Sequence, residues 1–511
     1  MNSLIEELRR QYQSGQNDYW MPPIVVKTQD PTQGRVKPDD TVIFCCRRGE
    51  REVQLTETFV ETEFPHFPRH ELNGLRFVPM VRYHEKFADV ATAFPPVKPE
   101  NGLSSVLSGC GKRMMSISES EKEAHVTYFF NGRRGDLFEG QQARIIPSWQ
   151  DFANHPEMRS REIGAAICEA LPEHDFVLAN FAAGDVIGHL FDFDLKVRCV
   201  ETIDETLGTT LEAARNHGYT VLITADHGLI ERGRNSDGTP SVAHTTAQVR
   251  FIVVDESVKN SSGTVMSENG SLADIAPTVL SMMKLPVPSE MTGTPITTLP
   301  RTTEKVLLLI LDGWGIGDTD LYVNPIAAAS TPVIDGLLEQ YPHTAIEASG
   351  VHVGLPEGRG GNSETGHLTM GAGRVIEQDE LRLRKAMEEG FRNNEVITEA
   401  VDATARRGGA LHLLGLLSEA SSHGTIQETL KIAELARQNG VESVYLHCIL
   451  DGRSAAIQGA DDLLAKYRDA LRDVHVATVV GRGYALDRGK DYVGKTQKVY
   501  RALVDGEGIA V

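Results

Sequence analysis

The sequence predicts an α/β protein of two domains built on largely parallel sheets, and three observations predict it. Apolar, β-rich runs alternate with amphipathic helical stretches through most of the chain. The clearest runs end abruptly in polar residues: Phe176–Phe181 leads into AAGD, Val221–Ile223 into TADHG and Lys305–Leu311 into DGWG. A later group repeats the pattern, with Leu411–Leu414 before GLLSEASSHG, Val444–Ile449 before LDGR and Val476–Val480 before GRGY. Ligands of open α/β sheets bind beyond the carboxyl ends of strands, so both groups of ends are expected to carry chemistry, each lending one wall to a site.

Composition bounds what that chemistry can be. The 511 residues leave room for two to four domains of roughly 100–200 residues each. With 51 Lys+Arg against 71 Asp+Glu the net charge is −20, which argues against nucleic acid or an anionic membrane as partner but leaves a small anionic substrate open. Six scattered cysteines without a CxxC read as reduced thiols of a cytoplasmic protein. The start, MNSLIEELRRQY, is charged and helix-like with no signal-peptide core, and the longest apolar run, Val306 to Leu311, is too short to span a bilayer. Candidate connections between domains are FPHFPRHELNG at 64–74, the stretch after the GAG at Gly371–Gly373, and the run Thr297–Lys305.

In chain order, the first chemical signal is Asp185 and His189, a D-x-x-x-H pair that a helix turns to one face. Asp226 and His227 follow the second apolar strand directly, and His244 comes after the turn-rich stretch Asn235–Pro240. Asp312 closes the strand of LLLILDG before a glycine that leaves room for a ligand. Singly, each has an ordinary structural explanation. As a set of three carboxylates and three imidazoles they suit Mn²⁺ or Zn²⁺ better than Ca²⁺, and they suffice for two ions, a recurrent solution for phosphoryl chemistry.

GRGGNSETGHLTMGAG places Ser363 after a glycine-rich turn and before a helix start. An ordinary helix cap there is as good a reading as a hydroxyl aimed at an anion. Ligation to a metal would activate a serine that is otherwise a poor nucleophile at neutral pH. A second motif, Gly489 to Thr496 (GKDYVGKT), fits the P-loop pattern, but the strand before it ends near Val480 and too little chain follows. An amphipathic helix from Tyr492 to Val504 is the expected structure there.

These residues resemble a known family. ILDGWG, GLPEGRGGNSETGHLTMGAGR, LDGR, GRGYALDR, SESEKEAHVTYFFNG, ITADHG, AHTT and ADIAPTVL are similar to segments of cofactor-independent phosphoglycerate mutase, of the alkaline phosphatase superfamily, over nearly the whole chain. The order is unusual: in the family ILDG lies near the N-terminus and ITADHG near the C-terminus, whereas here they start at residues 310 and 223. The chain therefore resembles a circular permutant, its old ends fused through Thr297–Lys305 and its new ends, Met1 and Val511, expected close in space. The resemblance implies an alkaline-phosphatase-like metal domain at 73–376 and a smaller α/β transferase domain from 1–72 and 377–511.

Carried over by position, the resemblance gives one ion to Asp185, His189 and His244, and the other to Asp312, Asp226, His227 and Ser363. It makes Ser363 the nucleophile, and it sets Lys122, His423, Arg48, Arg51, Arg482 and Arg488 against the substrate's phosphate and carboxylate, with Arg453 near the acceptor hydroxyls. Two divalent ions are implied, Mn²⁺ first and Zn²⁺, Co²⁺ or Mg²⁺ after it, with no 2,3-bisphosphoglycerate. A monomer is implied too.

Three departures from the family pattern fall on the transferase side. LDGRD reads LDGRS, so Ser454 stands where the family has the aspartate that acts as base on the glycerate hydroxyl, and a neutral serine cannot take that proton as a carboxylate does. SDGGVHSH reads SEASSHGT, which keeps His423 but changes Glu419–Ser422; GRYYAMDRD reads GRGYALDRG. The expected activity is thus a metal-dependent phosphomutase interconverting 3- and 2-phosphoglycerate or a close analogue through phosphoserine. The alternatives are a phosphomutase or phosphotransferase on another phospho- or phosphonocarboxylate, and a metal-dependent phosphatase.

Overall fold

Each apolar run that ends in polar residues is a buried strand, observed at Phe176–Phe181, Thr220–Thr224, Val306–Leu311, Ala410–Leu417, Ser443–Leu450 and His475–Gly481. The computed structural model describes residues 1–49, 51–235, 237–260, 266–299 and 303–511. It divides into two units, one of Met1–Pro96 with Asp379–Val511 and one of Val97–Gln378. Among the described residues no helix is long and apolar enough to cross a membrane.

The continuous unit holds an eight-stranded sheet in the order Gln141–Ile146, Met114–Glu119, Phe176–Phe181, Val306–Leu311, Thr220–Thr224, Val249–Val254, His343–Glu347 and Gly270–Ser271. The first five run parallel. Val306–Leu311 is buried at every position, as expected of a central strand covered on both faces. Register pairs Leu311 with Phe181 and Ile310 with Thr224, so three strands finish level and their next residues emerge along one edge. The run Thr297–Lys305 joins two parts of this unit, with residues 300–302 outside the described residues.

The discontinuous unit holds a seven-stranded sheet in the order Ile509–Ala510, Ile24–Val25, His475–Gly481, Ser443–Leu450, Ala410–Leu417, Thr41–Phe44 and Arg76–Pro79. The last five are parallel, and again the ends align: Leu450 pairs with Gly481 and with Leu417, and Phe44 with Leu414. The chain's first helix, Asn2–Gln13, buries Leu4, Ile5 and Leu8. The backbone N–H of Lys27 donates to the Val511 carbonyl at 2.8 Å, and Met1 and Val511 both pack against this unit's core.

Two expectations need correction. The units divide at 96/97 and 378/379, not at 72/73 and 376/377. Residues 73–96 stay with the discontinuous unit because Arg76–Pro79 adds a strand to its sheet and Val81 bridges Phe94. The helix expected over Tyr492–Val504 is a π-turn, Tyr492–Thr496, running into an α-helix, Gln497–Val504. No strand precedes Gly489; its N–H and that of Asp491 both donate to the Asp487 carboxylate at 3.2 Å, and Lys495 Nζ reaches Asp487 at 2.9 Å. The P-loop pattern therefore wraps its own carboxylate and presents no phosphate cradle.

Candidate metal centre

Four adjacent parallel strands deliver the continuous unit's chemical residues. Met114–Glu119 turns into Lys122, Phe176–Phe181 into the short helix Ala183–Gly188 with Asp185, Val306–Leu311 into Asp312, and Thr220–Thr224 into Asp226 and His227. Ser363 opens the helix Ser363–Ala372, but it is not the cap: Asn362 accepts from the Thr365 N–H at 3.0 Å. That frees the serine hydroxyl, which donates to Asp312 Oδ1 at 3.1 Å, receives Lys122 Nζ at 2.6 Å and lies 3.1 Å from His227 Nε2. Glycine permits the approach of this helix. A Cβ at Gly366 would stand 2.6 Å from the Asp226 carbonyl oxygen, and one at Gly371 would overlap the Phe130 carbonyl.

The imidazoles are prepared as ligands. His189 Nδ1 lies 2.8 Å from the Val242 carbonyl and His244 Nδ1 2.7 Å from that of Gly361, so each Nδ1–H is spent on the backbone and each Nε2 is left with its lone pair. The two Nε2 atoms come within 3.2 Å of each other and within 3.4 and 3.2 Å of Asp185 Oδ1. Two lone-pair nitrogens and a carboxylate oxygen at such range need a cation among them. Asp185 Oδ1 and Asp226 Oδ2 are also buried without a hydrogen-bond partner. Unpaired buried oxygens are costly, and a divalent ion is the group that satisfies them. Among the described residues three groups have converging ligand atoms: Asp185, His189 and His244; Asp185, His227 and Asp312; Asp226, Asp312 and His367. This donor set fits divalent metal ions.

Electrostatics agree. Burial opposes the charge on Asp185 and Asp226, yet neighbouring imidazoles and Lys122 hold both carboxyls well below the usual range. Burial likewise opposes charge on His227, but Asp226, Asp312 and Asp185 raise it to about 9. Lys122 is raised above its ordinary value by Asp312 and Asp185. Among the described residues it supplies the one ammonium bonded to this acidic cluster, touching Asp185 at 2.7 Å and Asp312 at 2.9 Å.

Sequence reasoning missed His367 and Asn180. His367 is fully buried, its Nδ1 2.8 Å from the Ser363 carbonyl and 3.3 Å from Asp226 Oδ2. Asn180 Nδ2 donates to Asp312 Oδ2 at 2.7 Å and to His367 Nε2 at 3.1 Å. The signals were present: His367 stands four residues beyond Ser363, on the same helical face, and Asn180 is a polar residue inside an apolar strand.

The substrate residues expected elsewhere gather in the discontinuous unit, beyond Thr41–Phe44, Ala410–Leu417, Ser443–Leu450 and His475–Gly481. Arg48 Nη1 lies 3.4 Å from Ser422 Oγ, and Arg51 Nη1 donates to the Leu486 carbonyl at 3.3 Å. Arg482 is buried against Asp451, whose other oxygen accepts the Ser454 N–H at 2.6 Å. Arg453, Ser454 and Arg488 are exposed. His423 is buried beside Glu52, a residue the sequence reading passed over.

Comparison with known proteins adds the following. Residues 62–287 match the model of the Metalloenzyme superfamily, and residues 1–85 and 384–510 match that of the BPG-independent PGAM N-terminus. A 2,3-bisphosphoglycerate-independent phosphoglycerate mutase of Moorella thermoacetica is 36% identical over 291 residues, 56% of each chain. One of Clostridium botulinum (strain Langeland) is 37% identical over 297 residues, 57% of each chain. The chain thus spans little more than half the length of the curated relatives it matches. A crystal structure of Leishmania mexicana phosphoglycerate mutase at low cobalt concentration matches at 26% identity and a TM-score of 0.39, covering 54% of this chain and 53% of that one.

Proposed function

We propose that this chain, a member of the cofactor-independent phosphoglycerate mutase family, is a metal-dependent phosphomutase that moves a phosphoryl group on a small phosphorylated carboxylic acid through phosphoserine at Ser363. The observation that carries the reading is the uncapped serine hydroxyl among Lys122, Asp312 and His227. Divalent ions, Mn²⁺ first among them, held by Asp185, His189 and His244 and by Asp312, Asp226, His227 and Ser363, would lower the serine's pKa and offset phosphoryl charge. Ser363 Oγ adds to phosphorus as the substrate's own phosphorus–oxygen bond opens, and Lys122 Nζ offsets charge on the transferred oxygens. The arginines at 48, 51, 453, 482 and 488, with Ser454 and His423, handle the carboxylate and hydroxyls of the organic acid.

3- and 2-phosphoglycerate stand first as substrates. A phosphonocarboxylate or related acid is the second reading, favoured by Ser454 and the changed loop Glu419–Ser422 on the side that reads the organic part. The same proposal takes the chain as a circular permutant of the family order. It is supported by the order of its segments, by domain matches that leave 288–383 uncovered, and by alignments limited to 56% of both chains. It also takes the protein as a cytoplasmic monomer, which the six unpaired cysteines fit. ³¹P NMR with Mn²⁺ on 3-phosphoglycerate beside a panel of phosphonocarboxylates tests it. A positional isomer that disappears on chelation is expected; free phosphate would make the protein a phosphatase instead, and no reaction on any member would overturn the reading.

A further inference from the structure

Among the described residues near the arginines, one buried acid is paired differently from the rest. Asp451 is committed to Arg482, Ser421 Oγ and the Ser454 N–H; Glu428 binds Arg47 at 2.7 Å; Asp487 binds Lys495 at 2.9 Å. Glu52 has no such cation. Its side chain is 0% exposed, Oε2 accepts the Arg51 backbone N–H at 3.1 Å, and Oε1 lies 2.7 Å from Nδ1 of His423, the one side chain bonded to that carboxylate among the described residues.

His423 is fixed in turn. Its N–H donates to Ser421 Oγ at 3.3 Å and its carbonyl accepts the Arg47 N–H at 2.8 Å. The side chain is 7% exposed. Nε2 has no partner among the described residues and is absent from the buried unpaired atoms, so the remaining exposure includes that nitrogen. A carboxylate that accepts Nδ1–H locks the tautomer in which Nε2 carries the lone pair, which is the arrangement of an oriented general base. Burial pushes the Glu52 carboxyl above its ordinary value, against the pull of His423, which makes it a better acceptor for that proton.

We propose that His423, oriented through Nδ1 by Glu52, is the base that takes the proton of the acceptor hydroxyl, a task for which position 454 offers only a serine. The inference rests on the phosphomutase reading. As the acceptor oxygen adds to phosphorus, the bond from phosphorus to the oxygen that held it breaks and the electron pair stays on that oxygen. The hydroxyl proton passes to Nε2, leaving an imidazolium opposite the Glu52 carboxylate. In the other half of the cycle that imidazolium returns its proton to the oxygen leaving phosphorus, so the proton count closes without a co-reactant. His423 is the catalytic residue here and Glu52 a positioning residue.

Glu52→Gln tests this, with the wild-type protein as second probe. The variant is expected to lose about 10²-fold in kcat for isomerisation with KM changed less than threefold, while Ser363-dependent hydrolysis of p-nitrophenyl phosphate, which needs no organic acceptor, keeps its rate. ¹⁵N NMR of the wild-type His423 ring is expected to place the proton on Nδ1. Unchanged kcat in a folded Glu52→Gln protein, or a proton on Nε2 in the wild type, would overturn the proposal. Should the wild type isomerise nothing, the phosphomutase reading fails by itself, and the ring spectrum still decides whether Glu52 sets the tautomer.

Discussion

In the continuous unit the ends of four adjacent parallel strands gather carboxylates and imidazoles around a serine; in the discontinuous unit the ends of four adjacent parallel strands gather arginines around a histidine. The sheets supply the same thing in both, a level row of chain exits, and the residues placed there decide the sign of the field. The acidic row leaves Asp185 Oδ1 and Asp226 Oδ2 buried and unpaired, so it is complete only with cations. The basic row is partly neutralised from within, Arg482 by Asp451 and Arg47 by Glu428, and keeps Arg48, Arg453 and Arg488 at the surface. One row is built to hold cations, and the other keeps part of its positive charge open to anions.

Breaking the acidic row at its centre has the largest expected effect. Ser363→Ala should lower turnover by at least about 10⁴-fold, because the nucleophile acts as part of a unit, while bound metal measured by elemental analysis stays near wild type. Turnover close to wild type would remove the serine from the chemistry. In the basic row, Arg482→Ala strands Asp451 as a buried unpaired carboxylate, and urea unfolding should show a loss of about 3–5 kcal/mol. A loss under about 1 kcal/mol would mean that water reaches Asp451.

A milder probe lies at the flank of the acidic row. Glu119 accepts the Arg159 N–H at 3.1 Å through Oε1, but Oε2 is buried without a partner, and burial lifts the carboxyl from 4.5 to about 7. Between those values the folded state binds more protons than the unfolded one, so this group's contribution to stability falls as pH rises through that window and stays low above it. Glu119→Gln is therefore expected to stabilise by up to about 3 kcal/mol at pH 8 and not at pH 4, read from melting curves at both values. Equal shifts at both would refute the burial argument. The smallest expected change sharpens the basic row: Ser454→Asp should raise activity on 3-phosphoglycerate by about tenfold, roughly 1.4 kcal/mol of barrier. No rise would place substrate selection in the loop Glu419–Ser422.

The strand ends and metal ligands were legible because a buried parallel strand followed by an acid is a local pattern, written in consecutive residues. Contacts that depend on register were not. Asp40, just before the strand Thr41–Phe44, and His412, His447 and Thr478 on the next three strands form a buried chain of hydrogen bonds at 3.1, 3.0 and 2.8 Å, and nothing in their spacing announces it. Glu52 was hidden for a similar reason: after CCRRGER it continues a run of charges, and only the return of the chain at His423 gives it a partner. The passage between units at Pro96 and Val97 carries no stronger local mark than the prolines and glycines at 64–74, since only the pairing of Arg76–Pro79 with the distant strand Thr41–Phe44 keeps the intervening chain with the discontinuous unit.

The glycines beneath the serine helix have a consequence for descent. With Gly366 against the Asp226 backbone and Gly371 against that of Phe130, even one added methyl pushes the serine helix away from the carboxylates. Lineages that inherit this packing cannot adjust the position of Ser363 in small steps. The exposed side chains of Arg453 and Ser454 are under no such constraint, although Gly452 beside them is held against the Tyr19 backbone, so those two positions can vary more freely than the glycines under the serine helix.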